Sequence, residues 1–284
     1  MRALTKPIAN LPWYDFPELE RHTDALWTGI ARHMSAHGLQ APAQIQRDGE
    51  YDAQWRQPEL LFSQACGYDV LHDHAAFLRV VATPRYRAAG CAGANYRSAI
   101  VVREKHRADS LSDLRGSTVV VNDPTSHSGT NALRALVAPL SRNGHFFKKV
   151  KVSGAHTESL SMLASQQADV ASIDLVVWAL CQRVRPRALE GLRMLTQTET
   201  APAPPFVTSR SLSEEMLLRL RTSLLAAMAD PVLKGAREEL LLEGVEVLPD
   251  SIYGSLEDFE SVALAHNYFE LPAPRLSPLN RPGK

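Results

Sequence analysis

The chain has 284 residues, 45% hydrophobic and 22% charged, which is typical of a soluble globular protein. Its 31 Lys and Arg residues balance 31 Asp and Glu residues, and this zero formal charge argues against a nucleic-acid-binding protein that depends on a general positive field. The three cysteines form no CxxC pair, so zinc and thioredoxin-like chemistry have little support, and we expect no metal and no cofactor. No stretch approaches the roughly 18 apolar residues of a membrane span.

Residues 1–16 lack the apolar core of a secretory signal. We therefore expect either a cytoplasmic protein or a periplasmic one whose signal is not part of this sequence.

Strands and helices alternate along the first part of the chain. A short apolar strand is followed by an aromatic and acidic loop, in which Tyr14 and Asp15 lie, and then by a helix that Gly38 ends. Further apolar runs predict three more strands before the middle of the chain. The predicted strands are residues 6–11, 59–63, 77–83 and 98–103, and the helix begins at Pro17.

The most informative stretch is 118–136, a buried strand followed by a hydroxyl-rich loop and a helix. Ser126, Ser128 and Thr130 are candidate N-caps, and Gly129 lets the backbone approach a ligand closely. Free N–H groups at a helix start, together with these hydroxyls, favour a site for a compact oxyanion. The alternative is that the hydroxyls only cap the helix. No Lys follows the glycine and no G-x-G-x-x-G motif is present, so neither a Walker loop nor a dinucleotide site is indicated.

The second half of the chain continues the alternation. His156 or Thr157 is a candidate cap for a helix that runs to Gln166, and Asp174 ends a strand. A proline-rich connector spans 202–205, and Gly244 is predicted to stop a helix. The predicted strands are 149–152, 169–173, 193–196 and 206–209, and the further helices are 175–184, 213–229, 231–243 and 256–269.

This alternation predicts an α/β protein with mostly parallel sheets. Ligands of such sheets bind outside the carboxyl ends of the strands. Polar or aromatic clusters follow several predicted strands, and we expect them to share one site. They are Tyr14 with Asp15, residues 64–68, residues 125–130, His156 and Asp174.

The ordered motifs LPWYDFPE, LLFSQACGYD, SLSDLRGSTVVVNDPTSHSG, SGAHTESLSML and ADVASIDLVVW resemble the substrate-binding proteins of phosphate and phosphonate ABC transporters. The resemblance implies the type II periplasmic-binding-protein fold, with two α/β lobes, each a mostly parallel sheet flanked by helices, and a ligand cleft between them. By this analogy lobe one comprises 1–101 and 205–284, and lobe two comprises 102–204 and carries the anion-binding helix N-terminus.

The resemblance also implies roles for individual residues. The family's anion loop matches Thr125, Ser126, Ser128 and Gly129, and its histidine matches His156. The facing aromatic matches Tyr14, with Tyr68 as a second candidate, and the acid that meets an amine on the ligand matches Asp174 loosely.

Each role has a structural alternative. For His156 the alternative to a ligand contact is a helix cap or a core histidine, and for Tyr14 and Tyr68 it is packing in the core. A helix cap is the stronger expectation for Asp174. We expect His127 on the surface or as support for the loop.

The expected function is binding of a small phosphorus oxyanion (phosphonate, phosphate or phosphite) in the cleft, for ABC-type uptake or sensing and without catalysis. The expected partner is a permease or a sensor protein, the expected oligomeric state is monomeric, and no nucleic acid is expected. The alternative is an enzyme or a binding protein for a thiamine-pyrimidine-like organic ligand on the same fold.

Overall fold

A computed structural model of the chain describes residues 6–269 and Leu271. The strands and α-helices of these residues are, in chain order, β1 (Ile8–Ala9), α1 (Glu20–Ala36), α2 (Tyr51–Trp55), β2 (Leu60–Gln64), α3 (Gly67–Leu71), β3 (Leu78–Tyr86), β4 (Asn95–Tyr96), β5 (Ser98–Arg103), β6 (Thr118–Val121), α4 (Ala132–Val137), β7 (Lys149–Val152), α5 (His156–Ala164), β8 (Val170–Asp174), α6 (Leu175–Val184), β9 (Leu192–Gln197), β10 (Ala201–Pro202), β11 (Phe206–Ser209), α7 (Glu214–Ala229), α8 (Lys234–Glu239), β12 (Leu242–Glu246) and α9 (Leu256–Ala265).

The first of two compact units contains the chain up to Arg87, residues 92–94 and residues 202–253. Its sheet has the strand order β1-β2-β11-β3-β12, in which β1 and β2 are parallel and the other pairs are antiparallel. Helix α1 packs against α7 and α8. The apolar residues of α1 recur at helical spacing, and Leu26, Ile30 and Met34 are buried.

The second unit contains residues 88–91, residues 95–201 and the described residues from Gly254 onward. Its sheet has the order β7-β6-β8-β5-β9. Strands β7, β6 and β8 are parallel, whereas β5 pairs antiparallel with β8 and β9. Helix α4 packs against α9, and Val119, Val121, Leu133 and Val137 belong to the apolar core of the unit.

The α/β class predicted from the sequence is confirmed, but both five-stranded sheets are mixed rather than mostly parallel. The antiparallel pairs involve β5 and β9 in one sheet and β3, β11 and β12 in the other. The compact units also divide the chain differently from the predicted lobes. Residues 98–103 form β5 within the second sheet, and α9 packs on α4, so both segments belong to the second unit.

The predicted helix over 231–243 is wrong in its second half. A single 3₁₀ turn, Pro231–Leu233, leads into α8, which ends at Glu239. Leu241 adopts φ +55°, and the chain continues as β12, which pairs antiparallel with β3. Gly244 lies inside this strand and not at a helix end. Among the described helices, none has the length and apolar character to cross a membrane.

Candidate anion-binding site

The loop after β6 is organised by the carboxylate of Asp123. Asp123 Oδ1 accepts hydrogen bonds from the Thr125 backbone N–H at 2.7 Å and from Thr125 Oγ1 at 2.6 Å. This is the local side-chain turn that Asp favours, and it ends the strand at the predicted place. The hydroxyl proton of Thr125 is therefore donated within the loop.

A π turn, His127–Asn131, begins the helical segment that continues as α4 to Val137. Ser126 is its N-cap, and Ser126 Oγ accepts from the Gly129 N–H at 3.0 Å. The carbonyl of Ser126 accepts from both Thr130 N, at 3.2 Å, and Asn131 N, at 3.0 Å. The predicted cap is thus present, but the first turn is widened by one residue. Such π turns are frequent at functional sites.

Gly129 lies directly under the side chain of Asn122. A Cβ atom built on Gly129 would come within 1.7 Å of Asn122 Oδ1. The close approach predicted for this glycine therefore involves a neighbouring side chain of the protein itself. Asn122 Oδ1 is buried without a hydrogen-bond partner.

Two hydroxyls and one imidazole meet at the start of the helical segment, and we call them the hydroxyl–imidazole cluster. Ser126 Oγ lies 3.4 Å from Ser128 Oγ, which lies 2.9 Å from His156 Nε2. The serines are only 9% and 5% exposed. Because β6 and β7 are parallel neighbours, their carboxyl ends share one sheet edge, which brings the loop after β6 to His156 after β7.

His156 is the first residue of α5, after Ala155 as the N-cap, and no side chain caps this helix. The prediction that His156 or Thr157 caps it is therefore wrong. The imidazole is half-buried, and its Nδ1 is buried without a hydrogen-bond partner. Burial lowers the pKa of His156 to about 4, although the backbone of Ser172 opposes that shift. At neutral pH the ring is uncharged.

His127 is 2% exposed, so its expected surface position is wrong, and its Nδ1 lies 3.2 Å from Asn131 Nδ2, a contact that fits the alternative of support for the loop. Its ring lies perpendicular to Phe259 with centroids 4.8 Å apart. Burial, assisted by the positive charge of Arg134, lowers the pKa of His127 to about 3. The histidine inside the anion loop therefore contributes no charge at neutral pH.

Two of the predicted site residues, Thr130 and Asp174, form hydrogen bonds with other groups of the protein. Thr130 is 1% exposed, and its hydroxyl donates to the Asp123 carbonyl at 2.6 Å. Asp174 is the N-cap of α6, where Asp174 Oδ1 accepts from Val176 N at 2.7 Å and from Val177 N at 3.4 Å. The capping role expected for Asp174 is confirmed. A ligand contact by either residue stays a prediction.

The predicted tyrosines belong to the first unit. Tyr14 is buried, adopts φ +65°, and packs edge-on against Tyr86 with ring centroids 5.1 Å apart. Gln64 Nε2 donates to the Tyr86 hydroxyl at 2.8 Å. Tyr68 is 1% exposed and lies against His72 at 4.3 Å, as its packing alternative predicts. A left-handed φ is costly for an aromatic residue, and such strain is concentrated at functional sites.

Sequence reasoning overlooked several residues that hold these groups in place. Ser172 is fully buried in β8, and its hydroxyl donates to the Ser128 carbonyl at 2.6 Å. A serine inside the apolar strand sequence VASI was the available signal, since a buried hydroxyl needs a partner. Tyr86 also ends a strand, but no motif distinguishes it. The described residues contain no group of three or more His, Cys, Asp or Glu side chains that could hold a metal ion.

Residues 27–253 match a protein-family model, which is described as ABC transporter, phosphonate, periplasmic substrate-binding protein. No curated protein matches the chain.

Several solved structures share the fold at low sequence identity. A binding protein component of an ABC phosphonate transporter, PA3383 from Pseudomonas aeruginosa, is 20% identical over 93% of this chain and 90% of its own, with a TM-score of 0.71. PhnD1 from Prochlorococcus marinus, in complex with methylphosphonate, is 14% identical over 90% and 97%, with a TM-score of 0.70. XAC2383 from Xanthomonas citri, bound to chloride, is 14% identical over 92% and 98%, with a TM-score of 0.69.

Proposed function

Because the chain belongs to the family of periplasmic substrate-binding proteins of phosphonate ABC transporters, we propose that it binds a small phosphorus oxyanion at the hydroxyl–imidazole cluster. The observation that supports this proposal is the contact of Ser126, Ser128 and His156 at the N-terminus of a helical segment. Phosphonate, phosphate and phosphite all carry the compact oxygen acceptors that such donors recognise.

The cluster offers neutral hydrogen-bond donors. Ser126 Oγ accepts from Gly129 N, which leaves its own proton to donate. In the tautomer that suits an anion, His156 Nε2 carries the ring proton and donates to Ser128 Oγ at 2.9 Å, so the Ser128 hydroxyl proton remains for a ligand oxygen. The helix N-terminus adds partial positive charge. Hydrogen bonds from neutral donors to an ionised acceptor are strong, so no cationic side chain is required for binding.

The same groups support a binding role without turnover. Ser128 and His156 are in contact, but His156 Nδ1 has no hydrogen-bond partner to orient the ring as a base. We propose that the protein acts as a monomer, delivers its ligand to a membrane permease and works in the periplasm.

The experiment is a calorimetric and thermal-shift panel of phosphate, phosphite, methylphosphonate, 2-aminoethylphosphonate, sulfate and a thiamine-pyrimidine phosphate. A ligand present at about 100 times its Kd stabilises the fold by roughly 2.7 kcal/mol. We expect a phosphorus oxyanion to stabilise the wild type and the Ser126→Ala/Ser128→Ala double variant not to respond. Ser161→Ala, an exposed serine on α5, is the matched control.

Loss of the Ser126 cap destabilises the variant by itself, by about 1 kcal/mol. The comparison therefore uses the ligand-induced shift and not the melting temperature. If only the organic phosphate stabilises the protein, or if the double variant responds as the wild type does, the proposal is contradicted.

A further inference from the structure

Arg134, on α4, is unusual because its cationic side chain is almost completely buried. It is 6% exposed, and none of the described carboxylates forms an ion pair with it. Its Nη2 donates to Asn131 Oδ1 at 2.7 Å, while its Nε is buried without a partner. A buried cation that pairs with none of the described carboxylates is costly and calls for an explanation.

The contact with Arg134 determines the orientation of the Asn131 amide. A guanidinium only donates, so the Asn131 atom that faces it is the carbonyl oxygen, and the NH₂ group faces the other way. Asn131 Nδ2 lies 3.1 Å from the Leu256 carbonyl and 3.2 Å from His127 Nδ1. The amide therefore donates one hydrogen to each of these two acceptors.

This orientation also assigns the tautomer of His127. Since Asn131 Nδ2 can only donate, His127 Nδ1 accepts and the ring proton lies on Nε2. The positive charge of Arg134 supports the neutral form of this ring, because it disfavours a second positive charge nearby.

Asn131 thus links two elements of the second unit. Its backbone N–H closes the π turn on Ser126 O, and its side chain holds both the His127 ring and the first residue of α9. His127 is in turn packed against Phe259 on α9. The turn that presents Ser126 and Ser128 is therefore braced against α9 through one amide.

We propose that Arg134 and Asn131 are positioning residues for anion binding: the guanidinium orients the amide, and the amide holds His127 and the π turn in the geometry that presents Ser126 and Ser128. This inference rests on the proposed function. It assigns a use to a buried charge that does not belong to the hydroxyl–imidazole cluster.

The first test needs no variant. A ¹⁵N NMR spectrum of the wild-type imidazoles is expected to show His127 protonated on Nε2 and unprotonated on Nδ1. Protonation on Nδ1 would overturn the assignment of the amide and with it the proposal. This measurement does not depend on any ligand, so it remains informative even if the wild type binds no phosphorus oxyanion and the proposed function fails.

The second test is Asn131→Asp, which keeps the shape and the acceptor for Arg134 but removes both donors. We expect the fold to survive, because the new carboxylate pairs with the buried guanidinium. His127 is expected to take up a proton on Nδ1 to donate to that carboxylate, and methylphosphonate affinity is expected to fall about tenfold. Asn143→Asp, an exposed asparagine, is the matched control and is expected to change neither readout.

A third variant separates positioning from folding. Arg134→Met leaves Asn131 in place but frees its amide to rotate, so the His127 spectrum is expected to show both tautomers. Unchanged methylphosphonate affinity and an unchanged His127 spectrum in Asn131→Asp or Arg134→Met would overturn the proposal.

Discussion

Tyr14 adopts φ +65°, a left-handed conformation that is costly for an L-residue with a bulky side chain. Its ring rests on Tyr86, which is held by Gln64. The aromatic type of Tyr14 is visible in the sequence, but its strain is not. The backbone angle depends on how the loop from Pro12 to Phe16 is held, and the Phe16 N–H bonds back to the Tyr14 carbonyl at 3.0 Å.

The strain at Tyr14 predicts an unusual order of stabilities. Tyr14→Gly is expected to be about 1 kcal/mol more stable than Tyr14→Ala, because glycine adopts positive φ without a steric penalty. Urea denaturation measures the difference in unfolding free energy. Trp13→Gly and Trp13→Ala serve as controls at a neighbouring position that lacks positive φ. There the alanine variant is expected to be the more stable, and the same order at Tyr14 would show that no strain is present.

Gly129 gives a second prediction for a single residue. Gly129→Ala is expected to destabilise the fold by roughly 1–3 kcal/mol, since the new Cβ would overlap Asn122 Oδ1. Of the three atoms nearest to this Cβ, the two that lie closer than 3.4 Å both belong to the side chain of Asn122. Asn122→Ala in the Gly129→Ala background is therefore expected to recover most of the loss in a double-mutant cycle. Additive losses would mean that the two residues do not clash.

At the scale of secondary structure, polar residues at the ends of strands have two possible uses, and Asp174 illustrates both. Its carboxylate caps α6, as the residue type and position predict. The same pattern in Ser126 produces a cap whose hydroxyl also belongs to the hydroxyl–imidazole cluster. Sequence identifies a cap at each position, but it does not show which cap also belongs to a cluster of polar side chains.

Asp174 can be tested as a cap separately from a ligand contact. Asp174→Ala is expected to cost about 1 kcal/mol in unfolding free energy, whereas Asp174→Asn keeps an acceptor for Val176 N and is expected to cost a few tenths. The affinity ratio of 2-aminoethylphosphonate to methylphosphonate is expected to be equal in the wild type and Asp174→Asn. A selective loss of the amine ligand in Asp174→Asn would instead assign Asp174 to the amine.

The element predictions fail where tertiary contacts override local pattern. Leu242 and Val245 are apolar residues that fit either a helix or a strand. Pairing with β3 makes them part of β12, after a left-handed Leu241 ends α8. Likewise, β6, β7 and β8 follow the expected parallel order, whereas β5 and β9 run antiparallel because pairing partners far apart in the chain set strand direction.

At the scale of the whole molecule, the buried His127 and the half-buried His156 are neutral in the folded protein and make stability depend on pH. The pKa of His127 is about 3 and that of His156 about 4 in the folded state, both below the ordinary value of 6.5. The unfolded chain binds protons as the pH falls through 6.5, and the folded chain does not until pH 4 or below. Their stabilising contribution is therefore complete above pH 6.5 and is lost as the pH falls from 6.5 to about 4 for His156 and to about 3 for His127.

When the pH is lowered from 7.5 to 5.0, the unfolding free energy is expected to fall by about 2 kcal/mol for each of these histidines. Urea titrations at the two pH values measure the loss. His127→Gln is expected to reduce the pH-dependent loss by about half of the pair's contribution, whereas the exposed His266→Gln leaves it unchanged. An equal loss in the wild type and His127→Gln would mean that His127 titrates normally.

The sequence by itself determined the α/β class, most strand and helix positions, the family resemblance and the candidate residues Ser126, Ser128 and His156. These follow from local periodicity, turn chemistry and residue type, which act over a few neighbouring residues. Only the tertiary structure decided that Ser128 meets His156, that Ser172 donates to the Ser128 carbonyl, and that Asn131 reaches the Leu256 carbonyl. Strand pairing and burial decide these contacts, and both depend on residues that are distant in the chain.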